Sequence, residues 1–583
     1  MCCRFKSSVL YAVSGAAALI GAFVLGATGA QAASCSGLAA LSMSLPNVTI
    51  TTAQSVPAGT FTAPNGQVFN NLPAFCRVVA VATPTSQSQI NFEVWMPSDG
   101  SWNGKFQGEG SGGSAGAISF FAMGPALVRG YATMSNDNGH TGSIWTFAQF
   151  PEKVVDFGHR AQHVTTVAGK AIVQAFYGTA AKHSYFYACS QGGHHALMEA
   201  QRYPDDYDGI IAGDPANDWT HLMFAELWAG VNTSVKGPSF DLPQAKLDLV
   251  TSAALNQCKG QDGSPRSDAF LTDPLDCHFD PKVLLCKSGD APTCLTADQL
   301  TAVEALYQGP VNPVTHKQIF PGFARGSETF WRQVLVGLSI PGGSSASFFR
   351  DGVFPGLANF NDINFSSDVA RTDNKAAGSG ETWAQALDAN SADLGSFRKR
   401  GGKLIMYHGF ADPFITPLVS LYYYTAVIDQ LRGDHGGRDG DDRFGESAAA
   451  ETQEFARLFM VPGMNHCLGG PGPNNFGGYA QAPGVPRDPQ HDVLSALEQW
   501  VEKGIAPDKI IGTKFVNDNP ANGVAFTRPL CPYPQSARLQ GSNVNDAASF
   551  ACVRDEPDRI GPAFTDFVAD RDRDRDFADR DRH

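Results

Sequence analysis

The feature that most constrains this chain is an alternation of strand-like and helix-like segments that occurs twice. Residues 131–215 contain an apolar strand, a helical pattern, an aromatic strand, a second helical pattern and the short strand "DGIIAGDP". A second series of two strands and two helices covers residues 403–504. Strands that alternate with helices form parallel sheets covered on both faces. The sequence therefore predicts an α/β fold whose sheet is built from two separate parts of the chain.

The alternation breaks between the two series, where four cysteines, aromatic residues and many turn residues follow no regular period. We interpret this region as a lid domain inserted over the carboxyl edge of the sheet, where loops carry chemistry. The Asp/Arg-rich C-terminal tail and the polar loop 432–451 are predicted to be disordered. The predicted organisation is a signal peptide (1–32), the first part of the core (33–218), the lid (219–400), the second part of the core (401–566) and the tail (567–583).

The N-terminus predicts export. Arg4 and Lys6 precede an apolar run over residues 9–29, and Ala30-Gln31-Ala32 fits a signal-peptide cleavage site. A retained membrane anchor is the alternative, and the alanine three residues before Cys35 disfavours lipid modification there. No other stretch is long and apolar enough to span a bilayer. We therefore expect a secreted or periplasmic protein without membrane contact after signal removal.

The charge and the cysteine count narrow the class of protein further. A formal net charge of −14 and the lack of a basic arm argue against nucleic-acid binding. Removal of the signal leaves ten cysteines, and an even count in an exported chain indicates disulfides. A zinc site is the alternative, but no C-x-x-C or H-x-x-x-H spacing supports it. Proximity in sequence suggests the pairs Cys35–Cys76, Cys258–Cys277, Cys286–Cys294 and Cys531–Cys552.

The segment Ala188-Cys189-Ser190-Gln191-Gly192 lies between the aromatic strand and its helix. In this motif a small residue stands two positions before the serine and another stands two positions after it. On a turn from strand to helix, such a serine exposes its hydroxyl for nucleophilic attack. Acyl transfer also requires an imidazole that accepts the hydroxyl proton and a carboxylate that orients the imidazole. Ser190 is therefore the candidate nucleophile.

Asp412 follows the next predicted strand, and His466 follows the one after it. The order serine, acid, histidine, each after a strand, is the order of the α/β-hydrolase triad. The competing side chains lie too close to the serine turn, within a strand-loop turn, or on the helix after the serine. These competitors are Asp208, Asp214, His408, His194 and His195.

The two cysteines left unpaired by proximity are the direct neighbours of this serine and histidine. If Ser190 and His466 lie within hydrogen-bond reach, Cys189 and Cys467 must also be close. We predict a disulfide between them that fixes the site's geometry and, on the chain-entropy model, stabilises by about 5 kcal/mol. The alternative is that Cys189 is only a small buried residue, which leaves Cys467 unexplained.

Several motifs spread over nearly the whole mature chain resemble those of the tannase/feruloyl esterase family. They include "WNGKF", "VRGYATMSNDNGH", "CSQGG", "YHGFADP" and "GMNHC". The resemblance implies an α/β-hydrolase fold with a large inserted lid domain, a Ser190–Asp412–His466 triad, and the same five cysteine pairs. It also implies an oxyanion hole made by the N–H groups of Gln191 and Gly112. A phosphate-binding role for the glycine loop is the alternative, but the loop lacks a Gly-Lys-Ser/Thr ending.

One position departs from the family pattern. The family lid usually carries a calcium loop that begins Cys-Asp-x-x-Asp-Gly, whereas here Lys259 follows Cys258. Asp262, Asp268 and Asp273 could still offer oxygens, but calcium requires six to eight ligands. We therefore expect no required cofactor, and keep a structural calcium held by Asp262 and Asp268 as the alternative.

Together these features predict a secreted serine esterase whose partner is a small aromatic ester, with an acyl-enzyme on Ser190. By resemblance the substrate is a feruloyl, galloyl or related benzoate-type ester. Aromatic side chains in segments 328–334 and 346–354 are expected to shape a pocket for a flat acyl group, and the alternative is that half of them form the lid's own core. The alternatives are a serine hydrolase of lipid esters or peptides, and a non-catalytic hydrolase-like binding protein. The sequence does not define the oligomeric state.

Overall fold

A computed structural model describes residues 32–337, 344–434 and 442–554. The predicted signal peptide up to residue 31 and the predicted tail 567–583 lie outside the described residues. Within the described ranges, no helix combines the length and apolar character needed to cross a membrane.

Fifteen strands are assigned in these ranges. In chain order they are β1 (Val48–Val56), β2 (Gly59–Thr62), β3 (Val68–Leu72), β4 (Phe75–Ala82), β5 (Ile90–Pro97), β6 (Lys105–Glu109), β7 (Ala132–Asn136), β8 (His183–Cys189), β9 (Gly209–Gly213), β10 (Lys403–Gly409), β11 (Ala456–Val461), β12 (Ile510–Phe515), β13 (Val524–Leu530), β14 (Gln535–Leu539) and β15 (Phe550–Arg554).

The α-helices alternate with these strands in both parts of the core. They are α1 (Phe120–Val128), α2 (Pro151–Val155), α3 (Ala161–Tyr177), α4 (Gln191–Arg202), α5 (Trp219–Val231), α6 (Gln244–Cys258), α7 (Ala297–Gln308), α8 (Arg332–Gly337), α9 (Ser344–Ser347), α10 (Asp368–Asp373), α11 (Trp383–Leu387), α12 (Gly395–Lys399), α13 (Leu418–Asp434), α14 (Asp442–Thr452) and α15 (Val493–Lys503).

Nine strands form one central sheet in the order β1-β4-β5-β7-β6-β8-β9-β10-β11. The six strands from β7 to β11 in this order pair in parallel, and the first three add an antiparallel edge. The predicted α/β fold is therefore confirmed. Within the antiparallel edge, the short connection 83–89 joins β4 to β5 without a crossover helix, as antiparallel pairing allows.

Both faces of the sheet are covered by helices. Phe186 and Ala188 of β8 pack in an apolar cluster with α3, α4 and α13. Their neighbours Tyr185 and Cys189 belong to a second cluster with α15. Successive strand residues point to opposite faces, so each strand contributes to both clusters. This burial on both faces explains why the core strands are almost continuously apolar.

Strands β9 and β10 are neighbours in the sheet, although the chain between them includes helices α5 to α12. Two apolar clusters lie mainly in this segment. One joins Trp219, Phe348 and Trp383 to Trp145 of the core, so the segment packs over the sheet's carboxyl edge. This segment corresponds to the lid region of the sequence analysis.

The prediction of a disordered loop over residues 432–451 is wrong where the structure describes it. Helix α13 extends to Asp434, and α14 begins at Asp442. The alanine run 448–450 favours a helix, and this preference outweighs the polar composition around it. Residues 435–441 lie outside the described part of the chain.

The described part of the chain contains five disulfides, and they are the pairs that the sequence suggests. Four close short segments, whereas Cys189–Cys467 joins the end of β8 to the loop after β11, across 278 residues. The four others are Cys35–Cys76, Cys258–Cys277, Cys286–Cys294 and Cys531–Cys552.

Candidate active site

Ser190 lies at a strained turn between β8 and α4. Its backbone has φ 67° and ψ −126°, a conformation that non-glycine residues rarely adopt. The turn brings the chain close to the glycine loop: a Cβ on Gly192 would lie 2.6 Å from the Cβ of Ala188, and one on Gly110 would lie 2.7 Å from the Cα of Gly192. Small residues are therefore required on both sides of the serine.

The structure brings together the three predicted triad residues. The Nε2 atom of His466 lies 2.8 Å from the Oγ atom of Ser190, and its Nδ1 atom lies 2.6 Å from Oδ2 of Asp412. The other oxygen of Asp412 accepts hydrogen bonds from the N–H groups of Phe414 and Ile415. Because β8, β10 and β11 end at the same edge of the sheet, residues distant in sequence meet there.

Charge and burial tune these groups in opposite directions. Burial disfavours the charged form of Asp412, but His466 and His408 outweigh it and lower the pKa of the carboxyl below its ordinary value. Burial lowers the pKa of His466, whereas the charge of Asp412 and its hydrogen bond to the imidazole raise it, with a net increase. An ionised Asp412 therefore holds the imidazole and stabilises its protonated form.

His408 and Asp214, which the sequence analysis did not select for the triad, lie next to Asp412. The Nε2 atom of His408 lies 3.3 Å from Oδ2 of Asp412 and 3.7 Å from Oδ1 of Asp214. All three side chains are fully buried. Burial raises the pKa of Asp214 to about 7. The signal that could have found Asp214 is its position directly after β9, at the same edge of the sheet as Ser190.

The Cys189–Cys467 disulfide lies directly beside the nucleophile and the base. Its two Cα atoms are 6.1 Å apart. It ties the turn that carries Ser190 to the loop that carries His466, with the whole lid segment between them in sequence. The link restricts the separation of the hydroxyl and the imidazole to hydrogen-bond range.

Gly112 and Gln191, the predicted oxyanion-hole donors, lie on either side of Ser190. Among the described residues, neither backbone N–H is bonded to a protein acceptor. Side chains fix the two segments to each other, because Ser111 Oγ donates to Oε1 of Gln191 at 2.6 Å and Asn138 Nδ2 donates to Ser111 Oγ. Sequence reasoning missed Ser111 and Asn138, whose pairing depends on the folded loop.

A cavity of about 640 Å³ opens in front of the serine. Ser190, His466 and Gly112 line it together with apolar side chains, mainly Trp219, Leu222, Met223, Phe121, Phe414 and Ile415. The aromatic residues expected here from segments 328–334 and 346–354 lie elsewhere: Trp331, Phe348 and Phe349 are buried inside the lid clusters. That expectation was wrong because side chains that look available in sequence form the lid's own core.

Asp262, the first candidate ligand of the alternative calcium site, already accepts hydrogen bonds from protein donors. Its Oδ1 atom accepts hydrogen bonds from the N–H groups of Gly260 and Ser264, at 3.2 and 3.1 Å. Its Oδ2 atom accepts one from the N–H of Thr272 at 2.6 Å. With the Ser264 hydroxyl and the N–H of Asp273, five donors surround this carboxylate, which offers about four lone pairs.

Asp268, the second candidate ligand, contacts two cationic side chains. Its carboxylate lies 2.9 and 3.1 Å from Nη2 of Arg528, and its carbonyl accepts a hydrogen bond from Nζ of Lys259 at 3.0 Å. These residues therefore do not fit a calcium ion.

The mixed sheet with helices on both faces and the serine turn at its carboxyl edge define an α/β-hydrolase. Residues 76–553 match the family described as Tannase and feruloyl esterase. The chain belongs to this family, which confirms the resemblance, and it is a carboxylic ester hydrolase. An uncharacterized esterase of Xanthomonas campestris pv. campestris is 44% identical over 551 residues, which cover 92% of this chain and 93% of the relative.

Two further relatives agree. A probable feruloyl esterase B of Aspergillus clavatus is 32% identical over 528 residues, covering 87% of this chain and 93% of the relative. The crystal structure of feruloyl esterase B from Aspergillus oryzae superposes with a TM-score of 0.77 at 28% identity, covering 89% of this chain and 99% of that one. The similarity therefore includes the lid segment as well as the core.

Proposed function

We propose that this protein is an exported serine esterase that hydrolyses aromatic carboxylic esters through an acyl-enzyme on Ser190. The observation that carries the proposal is the hydrogen-bonded series Ser190–His466–Asp412 beside a large apolar cavity. A non-catalytic binding protein would not need a nucleophile on a strained turn within 2.8 Å of a base.

In the proposed first step, the Oγ atom of Ser190 attacks the ester carbonyl carbon while Nε2 of His466 takes the hydroxyl proton. The negative charge that develops on the carbonyl oxygen is stabilised by the N–H groups of Gly112 and Gln191. The tetrahedral intermediate then breaks its bond to the alcohol oxygen, which receives the proton from His466. Asp412 holds the imidazole orientation throughout.

Deacylation repeats these steps with water. His466 removes a proton from a water molecule, the hydroxide attacks the acyl carbon, and Ser190 leaves with the proton returned by the imidazole. The products are a carboxylic acid and the regenerated enzyme. The neutral form of His466 is required at the start of both half-reactions.

The cavity supports an aromatic acyl group as the substrate class. It is lined by Trp219, Phe121 and Phe414 together with aliphatic side chains, and flat rings pack well against such surfaces. Relatives named as feruloyl esterases support the same class. Five disulfides support an oxidising compartment, secreted or periplasmic.

A hydrolysis screen on the purified mature chain tests the proposal. Feruloyl, galloyl and terephthaloyl esters would be compared with long-chain fatty esters and peptides, and kcat/KM measured for each. We expect turnover of at least one aromatic class and a loss of about 10⁶-fold in kcat in the Ser190→Ala variant. Preferential cleavage of lipid esters or peptides, or full activity of Ser190→Ala, would contradict the proposal.

A further inference from the structure

A single carboxyl group interrupts the apolar wall of the cavity. Helix α5 presents Trp219, Leu222, Met223 and Glu226 to it, at the spacing i, i+3, i+4 and i+7 that places side chains on one helix face. The first three are apolar and the fourth is an acid. Glutamate at such a position is unfavourable for packing alone, because a buried polar group without partners destabilises the fold.

Glu226 is buried, with 6% of its surface exposed, and its Oε2 atom has no hydrogen-bond partner among the described residues. Its side chain accepts a hydrogen bond from Ser345, which leaves the other oxygen unsatisfied. Such an atom in a binding cavity is a ready position for a polar group of a ligand.

The charge state of Glu226 limits what that group can be. Burial raises the pKa of Glu226 to about 8, so the carboxyl is mainly neutral near pH 7. A neutral carboxyl can donate one hydrogen bond and accept another. No lysine or arginine is among the described residues that line the cavity. A ring that carries a second carboxylate would therefore find no counter-charge there.

We propose that Glu226 recognises a phenolic hydroxyl on the aromatic ring of the acyl group, and so favours hydroxylated rings over unsubstituted or carboxylated ones. This inference rests on the proposed function, whose acyl-enzyme site is next to the same cavity. Glu226 would contact substrate without taking part in bond cleavage. Its effect is on selectivity between aromatic acyl groups.

The test compares matched methyl esters of 4-hydroxycinnamic, cinnamic and 4-carboxycinnamic acid, with wild type and the Glu226→Leu and Glu226→Gln variants. We expect wild type to prefer the 4-hydroxy ester over the cinnamate ester by about 10- to 100-fold in kcat/KM. Glu226→Leu should lose most of that preference, measured as the ratio of the two kcat/KM values. Glu226→Gln, which keeps a donor and an acceptor, should retain most of it.

Two controls separate recognition from folding. Met223→Leu reshapes the same wall without removing a hydrogen bond and should change kcat/KM for both esters by the same factor. Glu226→Leu should still unfold cooperatively, with a melting temperature lowered only by the loss of the hydrogen bond from Ser345, because the other oxygen has no partner to lose. A lower melting temperature together with unchanged selectivity would mean that Glu226 is structural, and would overturn the inference.

The outcomes also separate this inference from the function on which it rests. If no aromatic ester is cleaved, the proposed function fails. If the aromatic esters are cleaved but wild type does not prefer the hydroxylated ring, or prefers the carboxylated one, only the role of Glu226 fails. Equal selectivity in wild type and Glu226→Leu would overturn it as well.

Discussion

The molecule contains two buried acidic sites that are each adjacent to a disulfide, one at the catalytic edge of the sheet and one in the lid. At the sheet edge, Asp412 faces His466 and His408, whose protons can move. In the lid, Asp262 faces backbone N–H groups and Asp268 faces Arg528. Similar carboxylates therefore have titratable partners in one place and fixed partners in the other.

The kind of partner separates a carboxylate that takes part in the reaction from one that only stabilises the fold. A carboxylate beside an imidazole can stabilise a charge that appears and disappears during a reaction. A carboxylate held by amide groups and a guanidinium contributes to the fold through its hydrogen bonds. We therefore expect substitutions at the sheet edge to reduce turnover, and equivalent substitutions in the lid to reduce stability.

The largest expected contrast is between Asp412→Asn and Asp262→Asn. Asp412→Asn should lower kcat by about 10⁴-fold, because the imidazole loses the carboxylate that orients it. Asp262→Asn should leave kcat unchanged and lower the free energy of unfolding by about 2 kcal/mol, because an amide group cannot accept from all the N–H donors around it. Steady-state kinetics and chemical denaturation measure the two effects.

The pH profile sharpens the same contrast. Wild-type activity should fall as the pH is lowered through the pKa of His466, because an imidazolium cannot accept the serine proton. Since Asp412 raises that pKa, the acid limb of Asp412→Asn should move to lower pH. If the acid limb of Asp412→Asn stays where it is in wild type, or if Asp262→Asn loses much of its kcat, the proposed distinction between the two sites is wrong.

A smaller contrast is expected between the two disulfides. Cys189→Ala/Cys467→Ala should lower kcat by about 10²-fold, measured well below the melting transition, because the serine and the histidine are no longer held together. Cys258→Ala/Cys277→Ala should leave kcat unchanged and destabilise by about 3 kcal/mol. A reductant should accordingly abolish activity before the core unfolds. Full activity of the first double variant would refute this role.

Arg528→Met tests the cation in β13 that pairs with Asp268 of the lid. Asp268 would remain buried without its partner, and loss of one member of a buried pair costs about 3–5 kcal/mol. The double variant Arg528→Met/Asp268→Leu should recover much of that stability, since it removes the unpaired charge. Thermal unfolding measures both variants, and equal stability of Arg528→Met and wild type would show that the pair contributes nothing.

The smallest expected effect is that of calcium. A chelator should change neither kcat nor the melting temperature, because Lys259 and Arg528 already neutralise this loop. Added calcium should likewise have no effect. A melting temperature that falls with the chelator and recovers with calcium would show that the ion binds despite these cations.

The sequence could predict the residues at the carboxyl edge of the sheet because the strand topology largely determines their positions. Residues that follow parallel strands meet at one edge, so Ser190, Asp412 and His466 could be placed together from their positions alone. The adjacent cysteines then gave an independent constraint. His408 and Asp214 were harder to place because their roles depend on which way each side chain turns after its strand.

The lid could not be predicted in the same way. The partner of Asp268 lies 260 residues away in β13, and no local pattern connects them. The aromatic residues Trp331, Phe348 and Phe349 could equally have lined a pocket or filled a core, and packing decided for the core. Glu226 was hidden inside an apolar helix, where only the burial of its oxygens makes it notable.

The most direct test of the account is to trap the acyl-enzyme. The protein would be mixed with an aromatic ester, quenched in acid within the first turnover, digested, and analysed by mass spectrometry. The account predicts an added acyl mass on the peptide that contains Ser190, and no such mass in the Ser190→Ala variant. An acyl group on another residue, or turnover by Ser190→Ala at the wild-type rate, would contradict it.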